Sequence, residues 1–193
     1  MKKELPFYSA IILAFFTIIF LIKTNYEFLL YAAVLLAIIY IIAKTDKIFH
    51  YSSFAKWGFG TLLFLHLSGG AFYIKGTRLY DIILIPILGE PFNILKYDQI
   101  MHIFIYFVIA LFVYAVVIHI VDKKANRIFI GVIAFLATIG LGALYEIIEF
   151  STVVLFSSTG VGNYYNNALD LIFNAIGALI ALVLISKDKR ILM

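Results

Sequence analysis

The 193-residue chain is 64% hydrophobic and 13% charged, carries a formal net charge of +4 and contains no cysteine. Soluble domains hold roughly 25% charged residues, so this composition leaves no room for an ordinary solvated surface, and the solvent for most of the chain is lipid. The missing cysteines exclude disulfides, thiolate catalysis and Cys-ligated metals. The basic excess falls in short clusters between apolar runs, which fits bilayer topology and argues against nucleic acid as a partner.

A helix needs roughly 17–25 apolar residues to cross a bilayer. Six such runs are expected, over residues 6–22, 28–43, 57–74, 98–120, 128–150 and 168–186. The fold class is therefore all-α, a polytopic membrane bundle of about six transmembrane helices. The first run follows Met1-Lys2-Lys3 as a signal peptide would. It is long for a signal segment and no small-x-small cleavage site follows it, so an uncleaved helix is expected. The apolar piece 82–88 is too short to span. It carries Pro86 and is followed by Gly89 and Pro91, which suits an interfacial or re-entrant segment. By organisation, residues 1–56 form two N-terminal helices and a cytoplasmic loop, and residues 57–193 a four-helix core that carries the polar groups.

Orientation follows from Lys and Arg. With a cytoplasmic N-terminus, the inner segments hold eleven: Lys2, Lys3, Lys44, Lys47, Lys56, Lys123, Lys124, Arg127, Lys187, Lys189 and Arg190. The outer segments hold four, Lys23, Lys75, Arg78 and Lys96. The chain is expected to be a multi-pass protein of the cytoplasmic membrane with both termini inside.

Four acids fall within or at the edge of spans: Asp98, Glu146, Glu149 and Asp170. Each costs up to about 2.5–3.5 kcal/mol at a helix centre and less near an interface. His66 and His102 also lie within spans. This topology puts His66, Asp98, His102, Glu146, Glu149, Asp170 and Asn174 near the outer ends of four helices. Asp98 and His102 are spaced i,i+4, Glu146 and Glu149 i,i+3, and Asp170 and Asn174 i,i+4, so each pair shares a helix face. Inward carboxylates and imidazoles on facing helices are how bundles build metal sites; they also suit a proton relay. Asp98 and Asp170 have a simpler reading as caps at helix N-termini. Glu146 and Glu149 do not, because they are expected at a helix C-terminus, where the dipole disfavours negative charge. No Lys or Arg lies deep in a span to pair with these acids. His50 and His119 fall at the inner side and read as interfacial. Gly69-Gly70 and Gly140-x-Gly142 read as sites of close helix packing. There is no phosphate-cradling glycine loop, GxSxG or HExxH.

The set Tyr97-Asp98-Gln99-Ile100-Met101-His102, Glu146 and Asp170-x-x-x-Asn174-x-x-Gly177 resembles the VanZ-like membrane proteins. The fuller pattern is closer to the YjdF-like inner-membrane proteins. It runs from His66-Leu67-Ser68-Gly69-Gly70-Ala71-Phe72-Tyr73, through Pro86 and Tyr97-Asp98-x-x-x-His102, to Glu146-x-x-Glu149-Phe150. The likeness covers roughly residues 60–182, with two extra helices before it. It departs at Gly162-Asn163-Tyr164-Tyr165-Asn166-Asn167, where Asn166 stands in place of an expected Asp. The resemblance implies a fold and a place in the membrane but no reaction; VanZ-like proteins hint at the cell envelope.

The leading expectation is a metal-dependent membrane enzyme acting on a lipid-linked or amphiphilic envelope substrate at the outer face. His66, His102, Glu146, Glu149 and Asp170 are the expected metal ligands, and Glu146, Glu149 and Asp98 the expected catalytic carboxylates. With only N and O donors, Zn, Mn or Fe would suit the site. A small transporter or proton-coupled permease using the same carboxylates is the alternative, and a non-catalytic membrane partner protein the third. Membrane lipid is the one partner expected, and the oligomeric state stays open.

Overall fold

The computed structural model describes residues 4–122, 124–156, 162–188 and 191. Six helices run through them: α1 (Glu4–Ile22), α2 (Tyr26–Phe49), α3 (Ser53–Ala71), α4 (Tyr97–Ile120), α5 (Arg127–Phe156) and α6 (Tyr164–Lys187). Of these, α2, α4, α5 and α6 are long and apolar enough to cross a membrane. α1 contains a shorter apolar stretch, Tyr8–Ile22. Lys2, Lys3, Lys123, Lys189 and Arg190, which contribute to the expected orientation, lie outside the described residues.

Local chemistry sets several boundaries. Asn25 starts α2 by accepting the Phe28 N–H at 3.2 Å, and Ser52 starts α3 by accepting that of Ala55 at 3.1 Å. Asn163 does the same for α6 through Asn166 N–H at 3.1 Å. Each cap satisfies one of the amides that a helix start leaves without an internal partner. At α4, the Gln99 side chain folds back to accept the backbone N–H groups of Leu95 and Lys96, at 3.2 and 3.1 Å.

Three expected boundaries are corrected. The third helix stops at Ala71, not residue 74. Phe72 turns extended, and Tyr73–Ile74 (β1) pairs with Thr77–Arg78 (β2) across a two-residue turn. Lys75 and Gly76 both have positive φ, at 51° and 83°, as a tight hairpin turn requires. Hydropathy alone does not separate a helix end from an apolar strand. Next, α5 continues to Phe156, seven residues beyond Glu149. The Ser151 and Thr152 hydroxyls are absorbed within the helix, donating to the Ile147 and Glu149 carbonyls at 2.8 and 2.7 Å. Glu146 and Glu149 are thus interior residues, and the helix-end dipole argument does not apply to them. Finally, α6 begins at Tyr164, so Asp170 sits in its second turn and is not a cap.

Between α3 and α4 the chain also forms a 3-10 turn, Leu79–Asp81, and a second hairpin, Ile83–Leu88 (β3) with Ile94–Lys96 (β4). The apolar piece expected at the membrane surface is therefore a strand. β4 runs straight into α4.

α4 is the central helix, flanked by α3, α5 and α6. One apolar core joins Phe16 and Phe20 of α1, Phe28 and Tyr31 of α2, Leu63 and Leu67 of α3, and Met101 and Tyr106 of α4. A second, toward the other end, joins Leu111 and Tyr114 with Ala134 of α5 and Ala178 and Ala181 of α6. The opposite faces carry exposed Leu136, Leu144 and Val154 on α5, and Ile172 and Leu179 on α6. A water-facing surface would not carry these residues along its whole length, and lipid covers them without cost.

Glycine sets the closest approach. A Cβ on Gly177 would run into the Ile103 backbone carbonyl, so α6 lies directly against α4. A Cβ on Gly142 would meet Asn174 Nδ2 at 2.9 Å and Tyr106 Cε1 at 3.2 Å. Gly69 and Gly70 make room for the rings of Tyr80 and Phe28, so only Gly70 packs helix on helix, and Gly140 faces open space. Gly177→Ala should cost about 1–3 kcal/mol, since backbone cannot yield as a side chain can. Gly140→Ala should be neutral or slightly stabilising. Thermal unfolding in detergent compares them, and equal stability of the two variants would show that the α4–α6 approach does not need the glycine.

Candidate functional site

The polar groups gather where α4, α5 and α6 meet, at the N-terminal ends of α4 and α6. His102 is the hub. Its Nδ1 lies 2.8 Å from Asn174 Oδ1. An amide oxygen only accepts, so Nδ1 is the nitrogen that donates to Asn174. Nε2 faces two carboxylates, Asp98 Oδ1 at 3.5 Å and Asp170 Oδ1 at 3.8 Å. Glu146 Oε1 stands 4.0 Å from Nδ1.

The 3.5 and 3.8 Å separations at Nε2 are long for hydrogen bonds, and they match what one ion requires. Ligands about 2.1 Å from a tetrahedral metal sit about 3.4 Å from one another. Ligand atoms of Asp98, His102 and Asp170 lie within 4.8 Å of one another, and this buried group could hold a metal. Asp170 and Asn174 are fully enclosed, and His102 and Glu146 nearly so. Two carboxylate oxygens here, Asp170 Oδ1 and Glu146 Oε1, are buried without a hydrogen-bond partner among the described residues. Buried acceptors are nearly always satisfied. One lies at each nitrogen of the His102 ring, Asp170 at Nε2 and Glu146 at Nδ1, and the pattern fits positive charge held at this level.

Amides from the start of α6 hold the other oxygens. Asn166 Nδ2 donates to Asp170 Oδ2 at 2.6 Å and reaches Asp98 Oδ2 at 3.4 Å. Asn167 Nδ2 donates to Glu146 Oε2 at 3.1 Å. Lys96 Nζ approaches Asn166 Oδ1 at 3.5 Å. The segment noted for its missing Asp thus supplies neutral donors that aim the carboxylates, an outer-sphere role of the kind metal sites use.

His66 is placed differently. It is buried on α3, its Nδ1 hydrogen-bonded to the Tyr80 hydroxyl, with the Tyr145 hydroxyl 3.4 Å from Nε2. Phe28, Tyr31, Tyr80 and Tyr145 ring it at centroid distances of 5.7–6.3 Å. Tyr145 also contacts the His102 ring at 6.4 Å, so it stands between the two histidines. His66 is therefore outside the Asp98–His102–Asp170 group. Glu149, half-buried, is outside it too. It lines a neighbouring pocket with Glu27, Tyr31, His66, Arg78 and Asp98.

Burial pushes the Tyr80 phenol well above its ordinary pKa, and the Asp98 charge adds to this, so it stays protonated and able to donate to His66. Arg78 pairs with Asp81 at 3.1 Å and Glu27 at 3.4 Å. Burial alone would lower its pKa, but Asp81 and Glu27, with Asp98 beyond them, hold it above the usual value. The acids are thus less isolated from cations than the spans suggest, since two loops bring Arg78 and Lys96 to the edge.

Sequence reasoning missed Tyr80, Tyr145, Asn167, Glu27, Arg78 and Lys96. Tyr145 had a signal, standing i,i+4 from Glu149. Tyr80 had none, because no periodicity orients a loop residue.

The chain matches, over residues 5–190, the model of a family described as "Predicted membrane protein (DUF2238)". It belongs to that family. No curated protein and no solved structure matches it. This is the YjdF-like family named from the motifs; the likeness to VanZ-like proteins rests on motifs alone. Membership covers nearly the whole DUF2238 chain, α1 and α2 included, so the N-terminal pair is not foreign to the family.

Within this DUF2238 protein, Tyr80→Phe should cost about 1–3 kcal/mol, because it leaves a buried imidazole nitrogen unpaired. Tyr97→Phe, which removes one hydroxyl bonded to the Leu65 carbonyl at 3.0 Å, should cost about 0.5–1.5 kcal/mol. Thermal unfolding of the pair in detergent checks the order, and a reversed order would rule out the Tyr80–His66 bond as a stabilising contact.

Proposed function

We propose that this membrane protein binds a divalent metal at Asp98, His102 and Asp170 and uses it to act on an amphiphilic or lipid-linked substrate at the outer face of the membrane. The observation that carries the reading is the cluster of ligand atoms from Asp98, His102 and Asp170 within 4.8 Å of one another, with the buried Asp170 Oδ1 left without a hydrogen-bond partner among the described residues. Like charges in a medium of low polarity repel strongly, and a bound cation removes that cost. Two carboxylates and one imidazole suit Zn, Mn or Fe. An ion held there would act as a Lewis acid toward a carbonyl or phosphoryl oxygen.

Glu146 is then the base. Asn167 holds one of its oxygens and the other stays open toward the site, as an acceptor for a proton from water or substrate must. Glu149 and His66 belong to the adjoining pocket, where they pass protons or contact substrate. In this reading residues 57–193 carry the chemistry, and residues 1–56 close the pocket through Glu27, Phe28 and Tyr31. The Tyr80–His66–Tyr145 run favours a second reading, in which the acids hold protons for a permease.

Metal and proton occupancy respond oppositely to chelation. Purified protein should carry a stoichiometric divalent ion, lose thermal stability on prolonged chelation, and regain it with one added ion. An ion that binds only the folded form stabilises by about 2.7 kcal/mol at a hundredfold excess over Kd. Asp170→Asn should abolish the response without impairing insertion, since it removes a charge. Indifference of the wild type to chelator and to added ions would discard the metal and select the proton reading.

The outer-face placement rests on the Lys and Arg asymmetry. A reporter active only outside the cytoplasm should give signal when fused within the loop 76–96 and none when fused after Met193. The reverse pattern would move the site to the cytoplasmic side.

A further inference from the structure

We propose that the β3–β4 hairpin is a lipid-binding finger that lies in the headgroup and upper acyl layer of the leaflet beside the Asp98 site. The inference does not depend on what occupies that site.

Composition comes first. β3 reads Ile83-Leu84-Ile85-Pro86-Ile87-Leu88, six apolar residues in succession, all exposed. A strand alternates its side chains between two faces. Leu84 is 48% exposed and its neighbour Ile85 57%, so both faces are bare. A strand with one face on a protein core would alternate buried with exposed, and one facing water would alternate apolar with polar. This strand does neither. Apolar residues on both faces call for an apolar medium that wraps around, as acyl chains do and a single docked surface does not.

Position comes second. β4 ends at Lys96 and α4 begins at Tyr97, and Tyr97 N–H donates to the Ile82 carbonyl at 2.9 Å, fixing the hairpin to the helix end. α4 has 24 residues, about 36 Å at 1.5 Å per residue, against a hydrocarbon core of about 30 Å. Its end therefore reaches the headgroup level, and the hairpin with it. Phe92, in the hairpin loop, packs its ring on Tyr165 of α6 at 5.3 Å. Tyr97, Tyr164 and Tyr165 lie at these same helix ends, where aromatic side chains form interfacial belts. The bare hairpin is thus continuous with the lipid-facing surface of the bundle.

Chemistry decides between lipid and a second copy of the chain. A copy would most simply add a strand to the free edge of β3. Pro86 sits mid-strand, without the N–H that a ladder uses, and proline marks edges that are not extended. Lipid does not depend on a strand ladder, the headgroups and their water pair the free backbone edge at the interface, and lipid is present wherever the protein is.

The test uses the chain's single tryptophan. Trp57 is exposed and stacks on Tyr8 at 6.5 Å, far along α3 from the hairpin, so Trp57→Phe gives a silent background. Into it go Leu84→Trp and Ile85→Trp, one on each face, in nanodiscs containing lipid brominated near the top of the acyl chain. Both should emit at short wavelength, lose most of their intensity to brominated lipid, and resist aqueous acrylamide. Quenching by acrylamide with none by brominated lipid would overturn the proposal. So would lipid quenching of one face alone, with the other face shifting as protein concentration rises, which is the mark of a second copy. The wild type gives an independent reading if a variant misfolds. Hydroxyl-radical labelling in nanodiscs should spare residues 83–88 and modify the nearby turn at Lys75. Equal labelling of both would also overturn it.

Discussion

Placing carboxylates beside one another out of water is the constraint on which the rest of this structure depends. Asp170 is fully enclosed and Glu146 nearly so; Asp98 and Asp170 stand at Nε2 of the same imidazole and Glu146 at Nδ1. In a medium of low polarity such charges neither lose their repulsion nor find solvent. The surrounding arrangement answers that problem. Asn166 and Asn167 present N–H donors to one oxygen each of Asp170 and Glu146, Asn174 accepts from His102 Nδ1, and the second oxygens of both acids are left without partners among the described residues.

The backbone is shaped to allow it. Asn174 reaches His102 because α6 lies against α4, and that approach depends on Gly177 facing the Ile103 carbonyl. Gly142 admits Asn174 and Tyr106 in the same layer. The caps matter as much. Asn163 sets where α6 begins and so puts Asn166 and Asn167 together one turn before Asp170, while Gln99 anchors the first turn of α4 behind Asp98. Small residues and caps here do for geometry what apolar burial does for a soluble core, since apolar burial drives no helix association in lipid.

Two compartments result, with Tyr145 between them. One holds His102 and its acids; the other holds His66, bound to Tyr80 and open toward Glu149 and Arg78. Asp98 belongs to both, with one oxygen toward His102 and its side chain lining the pocket. Both compartments lie at the bundle end that also bears the exposed hairpin.

Much of this is legible in the sequence, for definite reasons. Long apolar runs require helices because lipid offers backbone groups no partner, so the bundle follows from hydropathy. Acids in such runs are too costly to be incidental, and i,i+4 spacing puts Asp98 with His102 and Asp170 with Asn174 whatever the tertiary fold. Spacing along one helix does not say which faces meet across helices. Only packing brings Asp170 to the same His102 nitrogen that faces Asp98 and sends His66 to the tyrosines. Helix ends escaped too: an apolar strand and an apolar helix end have the same hydropathy, so the extended chain from Phe72 and the length of α5 were decided by a hairpin turn and by hydroxyls that satisfy themselves within the helix. The sequence by itself determined a membrane bundle with a buried acidic site. The tertiary structure decided which groups share that site, because their convergence depends on close contacts at Gly177 and Gly142 that no local pattern encodes.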